Sequence, residues 1–171
     1  MLYLDISNNR RFELEFEEDN LQKFSICKLW YKDNNLRISM YEDYIYFFID
    51  NMLGRLNAIP SLEKYELLGT LGKWQEYFYF DSSYIKKHRN EIKQMENAIF
   101  ISTELYGVFL YSFGKSIWLE LDKGYNKKQC HTTVIDYYNN SSNYCILMTM
   151  ISQKNLNSWK KDLEQLKNKL K

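Results

Sequence analysis

Carboxylates recur at every second position near the start of the chain, where residues 11–17 read RFELEFE. Paired carboxylates can perform acid–base chemistry, but a period of two is also the pattern of a strand with one face in water. We therefore expect a strand with a solvated acidic face, whose carboxylates are candidates for contacts with a basic partner. The candidates are Glu13, Glu15 and Glu17 with the two acidic residues that follow them, Glu18 and Asp19.

Nucleophilic catalysis needs a base that works near neutral pH, and the chain offers His88 and His131. Cys130 adjoins His131, but adjacent residues of a strand point to opposite faces, so the two side chains are poorly placed to hydrogen bond. Cys27 and Cys145 are far apart, and the three cysteines lack metal-ligand spacing. The sequence predicts no enzymatic activity, cofactor or metal site. An enzyme stays a rival hypothesis that would require a histidine to meet carboxylates in a pocket.

Basic residues are most concentrated at 86–89, KKHR, close to Tyr84. Cations interleaved with aromatic rings can bind nucleic acid. This segment is short, however, and 23 basic residues against 22 acidic ones give a net charge of +1. Because a phosphate backbone requires a concentrated basic field, the sequence argues against a nucleic-acid partner.

Aromatic residues are unusually frequent, since 15 Tyr, 10 Phe and 4 Trp make up 17% of the chain. Exposed Tyr and Trp side chains supply binding area at low entropic cost, so outward-facing rings are candidates for a protein interface. Tyr137 and Tyr138 are such candidates. The alternative is a small-ligand or lipid-binding module in which an aromatic-lined sheet encloses a cavity.

The length of 171 residues fits a single domain over residues 1–171. The longest apolar runs, 44–49 and 144–148, are much shorter than the roughly 20 residues of a membrane span. The N-terminus lacks the pattern of a secretory signal, and three cysteines are too few for a disulfide framework. We expect a cytoplasmic protein with no membrane association. The sequence leaves its oligomeric state open.

Strand-like and helix-like patterns along the chain predict an α+β fold. Apolar residues recur at spacings of three and four from Tyr41, which predicts an amphipathic helix near residues 41–58 that ends before Pro60. Leu156, Trp159 and Leu163 predict a C-terminal helix in the same way. The expected architecture is an antiparallel β-sheet meander with the C-terminal helix packed on the sheet. Strands are predicted at 11–17, 23–31, 36–40, 64–68, 74–80, 98–103, 105–111, 116–121, 132–138 and 144–151.

Three features of the layout carry a resemblance to a known group of proteins. They are the opening strand FELEF at 12–16, the helix at 41–58 and the closing helix NLNSWKKDLEQLKNKL at 155–170. With the early hairpin and the later antiparallel strands, this layout resembles the small cytoplasmic immunity proteins of bacterial polymorphic toxin systems, including contact-dependent inhibition systems. The resemblance implies a non-enzymatic inhibitor that binds a cognate toxin protein. Many such toxins are nucleases with basic clefts, which an acidic face of the inhibitor would complement.

Overall fold

The computed structural model describes residues 1–17, 20–62, 86, 89–103, 105–124 and 145–170. These residues form two compact units, one made of Met1–Ala58 with Ile151–Lys171 and the other of Ile59–Met150. Each unit contributes an antiparallel four-stranded sheet, so the predicted α+β class is confirmed. A single domain over 1–171 stays a prediction, because two compact units can belong to one domain or to two. In the described part of the chain, no helix is both long enough and apolar enough to cross a membrane.

The first sheet is an antiparallel meander in which strands follow one another in chain order. Its strands are β1 (Leu2–Ser7), β2 (Arg10–Phe16), β3 (Ile26–Lys32) and β4 (Arg37–Tyr44). Three of these match predicted strands. Strand β1 was not predicted, although apolar and polar residues alternate in LYLDIS and a two-residue Asn8–Asn9 turn follows.

One face of the first sheet is apolar and covered by the C-terminal helix α3 (Gln153–Lys169). The Phe12 and Trp159 rings meet edge to face with centroids 5.8 Å apart, and both residues are buried. Two side chains of α3 also bind the backbone of β1, because Trp159 Nε1 donates to the carbonyl of Asp5 at 2.8 Å and Asn155 Nδ2 to that of Ile6 at 3.0 Å. The predicted packing of the C-terminal helix on the sheet is therefore confirmed.

The helix expected at 41–58 is α1, and it occupies Ile45–Asn57. Its predicted first turn belongs instead to β4, since Leu29 pairs with Tyr41 and Ile26 with Tyr44 across the sheet. Helical spacing of apolar residues continued through this strand, and pairing with β3 decided the local structure. Glu42 and Asp43 accordingly lie on a strand and not in a first helical turn.

The second unit is built on α2 (Arg89–Ala98) and another meander. Its strands are β5 (Ile99–Ser102), β6 (Tyr106–Phe113), β7 (Ser116–Lys123) and β8 (Cys145–Ile151). Gly114 adopts a φ of 61° in the tight turn between β6 and β7, a conformation that favours glycine. Successive residues on both faces of β6 are buried, from Gly107 to Tyr111, so this strand runs through the core. The strands predicted at 64–68, 74–80 and 132–138 lie outside the described residues.

Candidate functional site

The candidate site is the face of the first sheet that points away from α3, here called the charged face. Pairing across the sheet assigns its members, because directly opposed residues share a face. The aromatic members are Tyr3, Trp30 and Tyr44. The basic members are Arg11, Lys28, Lys32 and Arg37. The acidic members are Asp5, Glu13, Glu15, Glu17 and Glu42.

Glu13 is the buried centre of the charged face, with only 3% of its surface exposed. Its Oε1 atom accepts from Nε of Arg11 at 2.9 Å and lies 2.7 Å from Nη2 of the same residue. The Nε atom of Arg37 is 3.4 Å from Oε2, and Nζ of Lys32 is 4.0 Å from Oε1. A buried carboxylate is costly unless it is paired, and here three cations from three strands compensate it.

Both arginines next to Glu13 also lie over aromatic rings. The guanidinium carbon of Arg37 is 4.1 Å from the centroid of the Trp30 ring, and that of Arg11 is 4.6 Å from the centroid of Tyr3. These are cation–π distances, and the ion pairs with Glu13 hold the guanidinium groups in place. The result is two ordered arginine–aromatic pairs on one partly exposed sheet face.

The opposite end of the charged face is more acidic. Nζ of Lys28 lies 2.7 Å from Oε1 of Glu17 and 3.7 Å from Oε2 of Glu42, so two carboxylates share one ammonium group. The hydrogen bond to Glu17, with the charges of Glu17 and Glu42, raises the pKa of Lys28. About half of each acidic side chain is exposed, 50% for Glu17 and 54% for Glu42.

The expected solvation of the acidic row is wrong for Glu13, whereas contact of the row with a partner stays a prediction. Glu13, Glu15 and Glu17 do share a face, but Glu13 is buried, and Glu15 pairs with Arg37 at 3.4 Å. Arg11 lies on β2 itself, but Lys28, Lys32 and Arg37, which also pair with the row, come from β3 and β4, and alternation within β2 cannot reveal them. The remaining predicted contact residues lie outside the described part of the chain, and their role stays a prediction. They are Glu18, Asp19, Tyr137 and Tyr138.

Two exposed aromatic residues, here called the aromatic pair, adjoin the acidic end of the charged face. Phe24 is 68% exposed and Tyr44 46% exposed, and their rings meet edge to face with centroids 5.9 Å apart. Neither residue was predicted to be part of a binding surface, because Phe24 fell within a predicted strand and Tyr44 within the predicted helix. The loop before β3 places Phe24 beside the end of β4, where the amide of Ile45 donates to the carbonyl of Ser25 at 2.9 Å.

A second group of acidic residues, also missed, lies buried in the second unit. Glu120 and Asp122 are two residues apart on β7, and the hydroxyl of Tyr111 donates to Oε2 of Glu120 at 3.2 Å. Burial and the neighbouring Glu120 raise the pKa of Tyr111, which keeps its hydroxyl a neutral donor. In the described ranges, no three His, Cys, Asp or Glu side chains are grouped so that they could hold a metal ion.

The two described cysteines, Cys27 and Cys145, should resist alkylation in the folded protein. Burial is the largest cause that raises the pKa of each thiol to about 12, followed by nearby carboxylates. At pH 8 their thiolate fractions should be about a thousandfold lower than at an ordinary thiol pKa. Iodoacetamide labelling followed by peptide mass spectrometry should show slow modification in buffer and fast modification in urea. Equal rates in both conditions would contradict this.

The turns at one end of the first sheet line an open groove of about 520 Å³. Its lining is polar and comes from the β1–β2 and β3–β4 turns. The lining residues are Ser7, Asn8, Asn9, Arg10, Asp33, Asn34 and Asn35. The alternative hypothesis requires a ligand cavity lined by aromatic residues, and the lining of this groove contains none.

Comparison with known proteins identified no relative of this chain. No protein-family model matches the chain, no curated protein matches its sequence, and no solved structure matches its fold.

Proposed function

We propose that this protein is a non-enzymatic inhibitor that binds a protein partner through the charged face. The observation that carries the proposal is the presence of two arginine–aromatic pairs, Arg37 over Trp30 and Arg11 over Tyr3, around the buried Glu13. The few residues that dominate the binding energy of protein interfaces are enriched in arginine, tryptophan and tyrosine. Because the ion pairs already order these side chains, their association with a partner costs less conformational entropy.

We propose that the partner is a cognate bacterial toxin and that binding takes place in the cytoplasm. This part rests on the resemblance of the layout to immunity proteins of polymorphic toxin systems. The charged face carries basic and acidic side chains in similar number, so its central region does not select a strongly basic nuclease cleft. A nuclease remains one of the toxin classes that the proposal includes.

Co-purification tests this function directly. The tagged full-length protein is expressed with the product of the gene immediately upstream in its native genome, and growth is scored with that product expressed alone or together with this protein. A tight complex that restores growth is the expected result. A well-expressed upstream product that neither binds nor becomes less toxic would reject the proposal.

Removal of the Arg37 guanidinium should weaken the complex without unfolding the protein. Glu13 keeps Arg11 and Lys32 as partners in Arg37→Ala, so its buried charge stays compensated. We expect the dissociation constant to rise about 10- to 100-fold for Arg37→Ala and for Trp30→Ala, as measured by calorimetry. Lys161→Ala, at an exposed position of α3, is the control and should bind normally. Normal binding by both test variants would exclude this part of the charged face from the interface.

A further inference from the structure

The charged face repeats one arrangement, in which an arginine lies over an aromatic ring and pairs with a carboxylate. Arg11 lies over Tyr3 and pairs with Glu13, and Arg37 lies over Trp30 and pairs with Glu13 as well. In each case the ring and the carboxylate come from neighbouring strands, since Tyr3 and Trp30 both oppose Glu13 in the sheet. The same chemistry thus occurs on either side of one buried residue.

Among the described residues, the acidic end of the face has the ring and the carboxylates of this arrangement but no arginine. In the ladder between β3 and β4, Ile26 pairs with Tyr44 and Lys28 with Glu42. Tyr44 therefore lies on the charged face, two residues after Glu42 on the same side of β4. In the part of the chain that the structure describes, no guanidinium group lies over Tyr44 or Phe24.

The nearby lysines that the structure describes contact other groups. Lys23 and Lys167 lie over Tyr46, with Nζ at 5.9 and 5.5 Å from its ring centroid. Lys28 is shared between Glu17 and Glu42, which leaves this group of three with one excess negative charge. The exposed aromatic pair therefore borders a site that one further cation would complement.

We propose that an arginine of the protein partner fills this position. Its guanidinium would stack on the aromatic pair while its N–H groups bond to Glu17 and Glu42. A planar guanidinium suits both contacts at once, whereas an ammonium group cannot stack and bind two carboxylates through a rigid fork. The inference rests on the proposed function for the identity of the partner, and it names the chemistry with which that partner binds this end of the face.

Titration of the ¹⁵N-labelled full-length chain with N-acetyl-arginine methylamide tests the site without the partner. The expected dissociation constant is on the order of 10 mM, with amide shifts at Phe24 and Tyr44 and at Glu42. The citrulline analogue has nearly the same shape and no charge, so it should cause no saturable shift. Absence of saturable arginine shifts at these residues, or equal binding of citrulline, would overturn the proposal.

Variants make the assignment specific. Glu42→Gln and Tyr44→Leu should each weaken arginine binding at least about threefold, because one removes charge and the other the tyrosine ring face. Glu164→Gln removes a carboxylate at an exposed position of α3 and should bind the probe as the wild type does. Circular dichroism checks that each variant is folded. Unaltered probe binding in both test variants would show that the arginine binds at another site and would refute the assignment.

The same variants separate this inference from the proposed function. If the upstream gene product forms the complex but Glu42→Gln and Tyr44→Leu leave its affinity within about twofold, the arginine site is refuted and the inhibitor function stands. If the arginine probe binds as expected and no complex forms with the upstream product, the site stands and the proposed function fails.

Discussion

Replacement of Trp159 by alanine is expected to lower the free energy of unfolding by about 3–5 kcal/mol, the usual cost of truncating a large buried aromatic residue. Trp159 is 1% exposed, packs edge to face on Phe12 and donates its indole N–H to the carbonyl of Asp5. Alanine would leave a cavity between α3 and the first sheet and remove that hydrogen bond. Urea unfolding followed by circular dichroism measures the change.

Trp159→Phe separates packing from hydrogen bonding at this position. Phenylalanine keeps most of the ring contact with Phe12 but cannot donate to the carbonyl of Asp5, so the expected loss is about 1–2 kcal/mol. Leu166 is also buried on α3 and provides a comparison for an aliphatic truncation. If Trp159→Ala lost less than about 1 kcal/mol, α3 would contribute little to the stability of the first unit.

Charge reversal at Glu13 should be nearly as disruptive, with an expected loss of about 3–5 kcal/mol for Glu13→Lys. The substitution places a cation in a buried position that Arg11, Lys32 and Arg37 already surround. These three cations would lose their shared carboxylate and gain a like charge. Urea unfolding of the full-length variant gives the free energy directly.

Glu15→Lys is the matched control for Glu13→Lys, because Glu15 lies on the same face of the same strand. Its side chain is 40% exposed and pairs with Arg37 at 3.4 Å, so its reversal should cost less than about 1 kcal/mol. Similar losses of unfolding free energy at the two positions would show that the burial of Glu13 does not determine how much it contributes to stability. A reversal at Glu13 is also unsuitable as a binding test, since lost binding could follow from unfolding.

Local sequence patterns predicted much of the first sheet. Alternation in 11–17 and the turn at Asp33–Asn35 allowed β2, β3 and β4 to be predicted, because strand period and turn chemistry are set by neighbouring residues. The start of α1 was predicted four residues too early. In that segment, Tyr41 and Tyr44 have the spacing of a helix, and the ladder with β3 overrides it.

The candidate site was less accessible to sequence reasoning than the fold. The sequence showed the acidic residues of β2 and Arg11 beside them, but two of the three cations that surround Glu13, Lys32 and Arg37, come from later strands. The exposure of Phe24 depends in the same way on where the loop before β3 lies. Contacts between strands decide which charge is hidden and which ring is exposed, and no local period encodes them.

The contacts between α3 and β1 have a further consequence for self-association. An edge strand with unpaired backbone groups is a template for another chain, and proteins protect such edges with covering elements and bulges. At the outer strand β1, a β-bulge lies between Asp5 and Ser7, and Trp159 and Asn155 occupy the carbonyls of Asp5 and Ile6. Deletion of α3 would therefore expose a template for intermolecular strand pairing as well as the apolar face. We therefore expect the C-terminal helix to protect the first sheet from aggregation.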